Sequence, residues 1–155
     1  MLLIFGLGNP GKKYEKNRHN VGSRVVDELR SSSHFATARV DELKSFGLNN
    51  VILAQPTTFM NKSGQAVKSL LRNSVSPHLE TKFLSKSLIV VHDDIDLPLG
   101  TFKISKGRGS AGHKGVQSII NELKTKDFNR VRIGICPQAG KPKQVEKFVL
   151  QNFSK

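Results

Sequence analysis

Short apolar runs, each closed by glycine, proline or acidic residues, recur along the 155-residue chain. Runs of this kind are typical of buried β-strands. They predict strands at residues 2–5, 51–54, 87–92, 101–105 and 128–136. The run at 87–92 is almost entirely apolar, which favours a central position in the sheet, and we expect it to end in the acidic residues 93–96. The weakly patterned residues 34–50 are expected to form edge strands or loop.

Apolar residues spaced three and four apart predict helices between these strands. One helix is expected from Val21 to about Arg30, and another from an N-cap at Ser63 through Leu71. Residues 116–123 mark a third helix, a final helix is expected to begin within residues 141–150, and residues 74–81 are expected to form a loop. Strands that alternate with helices indicate an α/β fold, with a mostly parallel sheet covered on both faces, in a single domain over residues 1–155.

The chain has a strong excess of positive charge. Lys and Arg number 25 against 12 Asp and Glu, which gives a formal charge of +13. This excess favours a polyanionic partner such as nucleic acid, although charge alone does not separate that from a basic solvated surface. Cys136 is the single cysteine, so an internal disulfide and a thiolate metal cluster are excluded. No secretory signal or long apolar segment is visible, so we expect a protein that is neither secreted nor membrane-spanning.

Gly6, Gly8 and Gly11 match the spacing of a dinucleotide-binding fingerprint. That motif needs a helix to begin within the glycines, so that backbone N–H groups face a pyrophosphate. Pro10 removes one of those donors, and the residues after Gly11 give no apolar helical face. We therefore interpret the glycines as a tight turn that presents Asn9, and not as a nicotinamide site.

His19 follows this glycine loop and Asp93 follows the predicted central strand. Loops at the carboxyl ends of parallel strands share one crevice, so we expect the two side chains to meet. A carboxylate that accepts from one imidazole nitrogen leaves the other nitrogen as a base for water. Because the chain has no G-x-S-x-G elbow, this pair favours direct attack by water. The alternative is an ordinary surface histidine beside a helix start.

The acidic run after the central strand allows a second interpretation, a metal site made of His92, Asp93, Asp94 and Asp96. Adjacent residues of a strand point to opposite faces, so no more than half of these groups are expected to converge. A hard cation is therefore the less favoured interpretation.

The segment Phe59-Met60-Asn61 follows the strand at 51–54 and is expected at the same crevice. Asn61 is a candidate donor to an oxyanion or to a substrate carbonyl, or a cap of the following helix. Phe59 and Met60 are interpreted either as core residues or as the floor of an apolar slot.

Basic residues form three groups, each next to a loop that we place near the crevice. Such groups indicate a track for phosphates, to which the backbone N–H groups of the loop 107–115 add further donors. Their members are Lys12, Lys13, Lys16 and Arg18; Lys103, Lys106, Arg108 and Lys114; and Arg130, Arg132, Lys141 and Lys143.

Five blocks of sequence together resemble the bacterial-type peptidyl-tRNA hydrolases. They are G-L-G-N-P-G, R-H-N-V-G, T-T-F-M-N-K-S-G, V-V-H-D-D-I-D-L-P-L-G and R-I-G-I, and they lie in the family's order between residue 3 and about residue 149. The resemblance implies a monomeric three-layer α/β/α single domain around a mixed, mostly parallel central sheet. It also implies hydrolysis of the ester between a peptide and the 3′ ribose of tRNA, which recycles tRNA from aborted translation in the cytoplasm or the mitochondrial matrix.

The resemblance further implies roles for individual residues. His19 resembles the base that activates water, Asp93 its orienting partner, and Asn9 the residue that distinguishes N-blocked peptidyl from free aminoacyl substrate. Contacts with the 3′ end of the substrate are implied for Tyr14, Phe59 and Asn61. Contacts with tRNA phosphates are implied for Lys103, Arg132 and Lys141 or Lys143. Peptidyl-tRNA is the implied partner, with no metal or organic cofactor and no membrane.

The chain departs from the family's pattern at two places. The family commonly has G-G-H-N-G where this chain has Ala111-Gly112-His113-Lys114-Gly115, so a glycine is missing and an amide is replaced by Lys114. An ammonium only donates hydrogen bonds, so we expect weaker positioning of water or ribose and stronger attraction of phosphate. Family members usually continue for another helix after the position of Phe153, which makes a truncated C-terminus one interpretation.

Two functions remain in competition at this point. The first is the hydrolase, with His19 as general base for water. The second is a non-catalytic RNA-binding relative on the same scaffold, which Lys114 and the charge of +13 would suit. The joint presence of His19, Asp93, Asn9 and Asn61 favours the hydrolase. An amidase or purine-processing enzyme rests on fold analogy alone.

Overall fold

A computed structural model describes residues 2–32, 36–40, 43–48, 51–74, 84 and 86–154. Within these residues one sheet of seven strands is formed by β1 Leu2–Gly6, β2 Ala36–Val40, β3 Leu43–Leu48, β4 Val51–Pro56, β5 Leu88–Pro98, β6 Phe102–Lys106 and β7 Asn129–Cys136. Their order across the sheet is β2–β3–β4–β1–β5–β7–β6. The predicted loop at 74–81 lies, after its first residue, outside the described residues.

The sheet is parallel in its centre and antiparallel at its edges. The pairs β1–β4, β1–β5 and β5–β7 are parallel. The pairs β2–β3, β3–β4 and β6–β7 are antiparallel. This confirms the predicted mixed sheet with a parallel centre. It also decides the weakly patterned residues 34–50, whose described parts form the edge strands β2 and β3.

Helices cover both faces of the sheet. They are α1 Val21–Ser31, α2 Ser63–Ser74, α3 Lys114–Leu123 and α4 Val145–Val149. Side chains alternate along β1, so that Phe5 packs in a core with Leu70 of α2 and Ile119 of α3, whereas Ile4 packs against Val26 of α1. The three-layer α/β/α arrangement is thereby confirmed. None of the described helices combines the length and apolar character that crossing a bilayer requires.

The central strand β5 is longer than the sequence predicts. We expected it to end in the acidic run, but it continues to Pro98. Pairing with β1 stops at Val91, whereas pairing with β7 continues through Asp94 and, after an irregularity, reaches Pro98. The prediction was wrong because the acidic side chains find partners beside the strand, as described below, and the ladder with β7 supports the backbone. Asp93 therefore lies inside β5, just beyond the end of β1.

The predicted N-cap at Ser63 is also wrong. Ser63 is the first residue of α2, and its hydroxyl donates to the carbonyl of Met60 at 2.8 Å. The 3₁₀ turn Met60–Lys62 runs directly into the helix, so position 63 already has helical backbone angles. A cap residue needs extended angles to accept from the first helical N–H groups.

A very close approach of β1 and α1 places the residues before α1 beside Val91, within β5. A Cβ atom on Gly22 would overlap the carbonyl oxygen of Val91, and one on Gly6 would overlap the carbonyl oxygen of Gly22. The Leu7 N–H also donates to the Val91 carbonyl at 2.9 Å. Glycine at position 22 is therefore required by packing against backbone, which has no flexible end that could move aside.

Replacing Gly22 by alanine tests this contact. Gly22→Ala is expected to lower the free energy of unfolding by about 1–3 kcal/mol, the usual range for overpacking, as measured by urea denaturation. Gly109→Ala is the matched control, because nothing lies within 4 Å of a Cβ atom there. Equal stability of the two variants would contradict the proposed packing constraint.

Candidate active site

His19 lies in the 3₁₀ turn Arg18–Asn20, directly before α1. Two sets of hydrogen bonds hold this turn. The Asn20 side chain bonds the backbone N–H and carbonyl of Asn9, each at 2.9 Å. On the other side, the Arg18 N–H donates to the Gln151 carbonyl at 3.0 Å. The turn is thus fixed to the glycine loop and to the segment after α4.

The His19 and Asp93 side chains meet, as the sequence predicted from their strand-end positions. Nδ1 of His19 lies 2.8 Å from Oδ1 and 3.0 Å from Oδ2 of Asp93. The two residues are 9% and 2% exposed. Nε2 of His19 makes no hydrogen bond within the described part of the chain, and the ring lines a cavity. The pair therefore has the geometry in which a carboxylate orients an imidazole and leaves its second nitrogen open.

A third residue, His113, completes the pair, and sequence reasoning did not select it as a site residue. Its Nε2 lies 2.8 Å from Oδ1 of Asp93. Its Nδ1 accepts from the backbone N–H groups of Gly115 and Val116 at 3.2 and 3.3 Å, so His113 is the N-cap of α3. The available signal was its position directly before an apolar helical pattern, but histidine is not among the residues that usually cap helices.

The carboxyl of Asp93 is held in its ionised form. Burial opposes ionisation, but the electrostatic attraction of His113 and the hydrogen bonds from His113 and His19 outweigh it. Together they keep the pKa of Asp93 well below its usual range. Asp93 is therefore a permanent hydrogen-bond acceptor for both rings.

The facing atoms of His19, Asp93 and His113 lie within 4.8 Å of one another, a spacing that metal sites also show. The hydrogen bonds of His113 argue against that use. Because its Nδ1 accepts from two backbone N–H groups, the ring hydrogen must sit on Nε2, which then has no lone pair for a metal. The three residues thus form a hydrogen-bonded cluster in which imidazoles donate to a carboxylate.

The metal site considered from the acidic run does not assemble either. Asp94 binds Arg132, with Oδ2 2.6 Å from Nε, and Asp96 binds Lys141 at 2.6 Å. His92 lies against its neighbour instead, with Nδ1 2.6 Å from the Asp93 carbonyl oxygen. The four groups therefore face different partners and do not converge on one point.

His92 is a buried, uncharged ring behind the cluster. Burial, with smaller contributions from His113 and Arg130, lowers the pKa of His92 to about 3. Its ring packs edge-on against His113, with the centroids 4.8 Å apart. His92 therefore supports the cluster by packing and does not exchange protons at ordinary pH.

The cluster opens into a cavity of about 770 Å³. Its lining has a polar part, which includes His19, Asp93 and His113, and an apolar part. The apolar lining comes from Phe59, Met60, Ile95, Val145, Val149 and Leu150. A chain of atoms with a polar reacting centre and an apolar portion would suit this division.

Most of the predicted site residues lie on this cavity. Those that line it, besides His19 and Asp93, are Asn9, Phe59, Met60, Asn61, Lys114 and Lys141. Tyr14 lies beside it, with its ring 6.3 Å from that of Phe59 in a T-shaped contact. Lys103, Arg132 and Lys143 do not line the cavity.

Several cations that the sequence grouped as a phosphate track have acidic partners. Besides the pairs of Arg132 and Lys141, Lys114 binds Glu146 of α4 at 2.7 Å. Lys103 and Lys143 are exposed, and neither has an ion pair among the described residues. Arg130 is 2% exposed, its Nε has no hydrogen-bond partner, and burial and the charges of Arg132 and Arg108 lower its pKa. The cations predicted to form the phosphate track therefore differ in how freely they can bind a phosphate.

The segment in which the family pattern is altered has an unusual backbone. Ala111 has a φ of 49°, in the left-handed region that favours glycine. Alanine thus occupies a glycine-like conformation two residues before His113.

Comparisons with known proteins agree on one family. The family model described as peptidyl-tRNA hydrolase matches residues 3–155. A peptidyl-tRNA hydrolase of Thermodesulfovibrio yellowstonii is 48% identical over 159 aligned residues, which cover 99% of this chain and 81% of that protein. One of Aquifex aeolicus is 47% identical over 160 aligned residues, covering 98% of this chain and 78% of that protein.

A solved structure gives the same result. The crystal structure of peptidyl-tRNA hydrolase from Acinetobacter baumannii superimposes with a TM-score of 0.85 at 29% identity. The match covers 99% of this chain and 77% of that chain.

The low pKa of His92 predicts a pH-dependent stability. The folded chain takes up a proton on His92 only near pH 3, whereas the unfolded chain does so near 6.5. The unfolded state therefore binds more protons between these values, and stability falls as the pH is lowered from about 6.5 towards 3. In urea denaturation at pH 7 and pH 5, His92→Gln is expected to lose less stability on acidification than the unsubstituted protein. An equal loss in both proteins would contradict the assignment.

Proposed function

We propose how the cavity works from one premise: this chain belongs to the peptidyl-tRNA hydrolase family. It is a hydrolase whose substrate is peptidyl-tRNA, and it cleaves the ester bond between peptide and tRNA. The roles given to individual residues below are proposals. The observation that carries them is the contact between His19 and Asp93 at 2.8 Å.

In the proposed mechanism His19 is the general base. Asp93 accepts the hydrogen on Nδ1, which leaves Nε2 with a lone pair that faces the cavity. A water molecule that donates to Nε2 loses its proton to the imidazole as its oxygen attacks the ester carbonyl carbon. The tetrahedral intermediate then expels the ribose oxygen, which takes the proton from His19. The products are the peptide acid and the free 3′ hydroxyl of tRNA.

Two amides are proposed to hold the acyl group. The Met60 N–H donates to Oδ1 of Asn9 at 2.8 Å, so the NH₂ group of Asn9 must point away from Met60. We propose that this NH₂ group binds a carbonyl of the peptide, which a free aminoacyl group lacks. Asn61, exposed on the cavity wall, is proposed to donate to the ester carbonyl as negative charge develops on it.

The apolar part of the cavity lining is proposed to bind the peptide. Phe59 is 54% exposed and lines the cavity, so its ring is accessible to a ligand there. With Tyr14 beside it, Phe59 offers a surface on which the terminal base of tRNA can stack. Met60 is 4% exposed and belongs to the core, but it also lines the cavity, and it is proposed to form part of the cavity floor.

The phosphate contacts are proposed to differ in strength because their cations differ in availability. Lys103 and Lys143 are exposed and unpaired within the described part of the chain, so they can bind phosphate directly. Arg132 and Lys141 must share their charge with Asp94 and Asp96. Lys114 is engaged with Glu146, which reduces the gain in phosphate attraction expected from its lysine.

We further propose that the protein acts as a monomer where translation takes place. Every group that the mechanism needs comes from one chain, so no second copy is required. The curated relatives are bacterial proteins, which favours the bacterial cytoplasm, with the mitochondrial matrix as the alternative.

Replacing the base tests the mechanism. His19→Ala is expected to lower kcat for N-acetyl-aminoacyl-tRNA by about 10²–10⁴-fold, because the water loses its proton acceptor. Affinity for tRNA, measured by filter binding, is expected to stay close to that of the unsubstituted protein. Turnover that survives in His19→Ala would remove His19 from its role. Binding of tRNA without cleavage by the unsubstituted protein would favour the RNA-binding alternative.

The phosphate proposal is tested by the salt dependence of tRNA binding. Lys103→Ala is expected to weaken binding and to reduce the slope of log K against log salt by about 0.7–0.9, as for one lost phosphate contact. Arg72→Ala is the control, because Arg72 lies on α2 away from the proposed track. The same slope in both variants would contradict the proposed phosphate contact of Lys103.

A further inference from the structure

We propose that His113 is a positioning residue for the hydrolytic base. In this proposal His113 fixes the carboxylate of Asp93 and limits how strongly that carboxylate retains a proton on His19. The inference rests on the proposed function of His19, but its main test needs no substrate. Neither the sequence analysis nor the mechanism above assigns His113 a part in the reaction.

The contacts of the His113 ring determine which of its nitrogens carries the hydrogen. Backbone N–H groups can only donate, so the contacts of Nδ1 with Gly115 and Val116 require a lone pair on Nδ1. The hydrogen of the neutral ring is then on Nε2 and points at Oδ1 of Asp93, 2.8 Å away. The start of α3 thus fixes which tautomer of His113 faces the carboxylate.

Two imidazole donors share the carboxylate of Asp93. Oδ1 of Asp93 receives both His113 Nε2 and His19 Nδ1, each at 2.8 Å. Oδ2 lies 3.0 Å from His19 Nδ1. Rotation of the carboxylate would break the bond with His113, so His113 holds it in the orientation that His19 needs. The same bond withdraws negative charge that would otherwise attract a proton on His19.

Within the described part of the chain, no charged group other than Asp93 and His113 has comparable contact with His19. Those on the surrounding elements are Arg18, Lys62, His92, Asp94, Asp96, Lys114, Lys141 and Glu146. Lys114 and Glu146 bind each other, and so do Asp96 and Lys141. Asp94 binds Arg132, and Arg18 lies over the ring of Phe148. Asp93 and His113 are therefore the groups whose hydrogen bonding directly affects His19.

Two variants separate the positioning role from the capping role. The side-chain oxygen of asparagine corresponds in position to histidine Nδ1, and the NH₂ group of glutamine corresponds to Nε2. His113→Asn therefore keeps an acceptor for the cap of α3 but loses the donor to Asp93. His113→Gln keeps a donor to Asp93 but loses the cap.

The main experiment follows the proton on the His19 ring by NMR as a function of pH, without substrate. In His113→Asn the titration of His19 is expected to move to higher pH by about 0.5–1 unit, the equivalent of one hydrogen bond. In His113→Gln the titration of His19 is expected at the same pH as in the unsubstituted protein. The melting temperature of this variant is expected to fall by about 2–4 °C through loss of the cap. A His19 titration unchanged in His113→Asn, or moved equally in both variants, would overturn the proposal.

Kinetics supply an independent readout. The acidic limb of kcat/KM for N-acetyl-aminoacyl-tRNA is expected to move with the NMR titration, and kcat of His113→Asn to fall about tenfold at unchanged KM. A change in KM alone would instead make His113 a substrate contact and overturn the positioning role. If the unsubstituted protein fails to cleave the ester while the NMR shift is observed, the proposed function fails and the positioning of His19 by His113 stands.

Discussion

The structure depends on the burial of one negative charge, the carboxylate of Asp93. A carboxylate this far from water is strongly destabilised unless hydrogen-bond donors surround it. Here the donors are two imidazoles from different elements, His19 from the turn before α1 and His113 from the start of α3. The close packing of Gly22 against Val91 and the cap of α3 matter for function because they bring those donors to the charge.

The pairing of His19 with Asp93 could be predicted from sequence because one topological rule governs both residues. Each follows an apolar run, and the ends of parallel strands were expected to lie together. Asp93 is inside β5, but it lies just beyond the end of β1, where the loop after β1 can reach it. His113 could not be found in this way. Its position depends on the angle at which α3 meets the sheet, and on an imidazole acting as a helix cap, for which a single sequence gives no spacing rule. The layered fold was also predictable, because the apolar patterns of strands and helices are local and alternate along the chain.

The strand ends and the ion pairs were predicted less well, and for a common reason. Sequence shows how many charges a segment carries but not which charges lie opposite one another. The acidic run after residue 92 looked like the end of a strand, yet Asp94 and Asp96 bind Arg132 and Lys141 from neighbouring segments. These bonds both extend β5 and reduce the charge that the two cations offer to RNA. The count of 25 Lys and Arg therefore overstates the number of cations that are free to bind a polyanion.

Side chains alternate along β5, so this one strand supports the groups proposed to act on the ester and on the tRNA backbone. Asp93 points to the His19 ring, which is proposed to activate water, and Asp94, on the opposite face, points to an arginine proposed to lie near the tRNA backbone. A shift of this strand by one residue would exchange the two faces and remove both contacts together. The proposed ester chemistry and the proposed RNA contact thus depend on the register of one strand. A mutation that moves β5 should impair both, whereas one that changes a single side chain can affect either one alone.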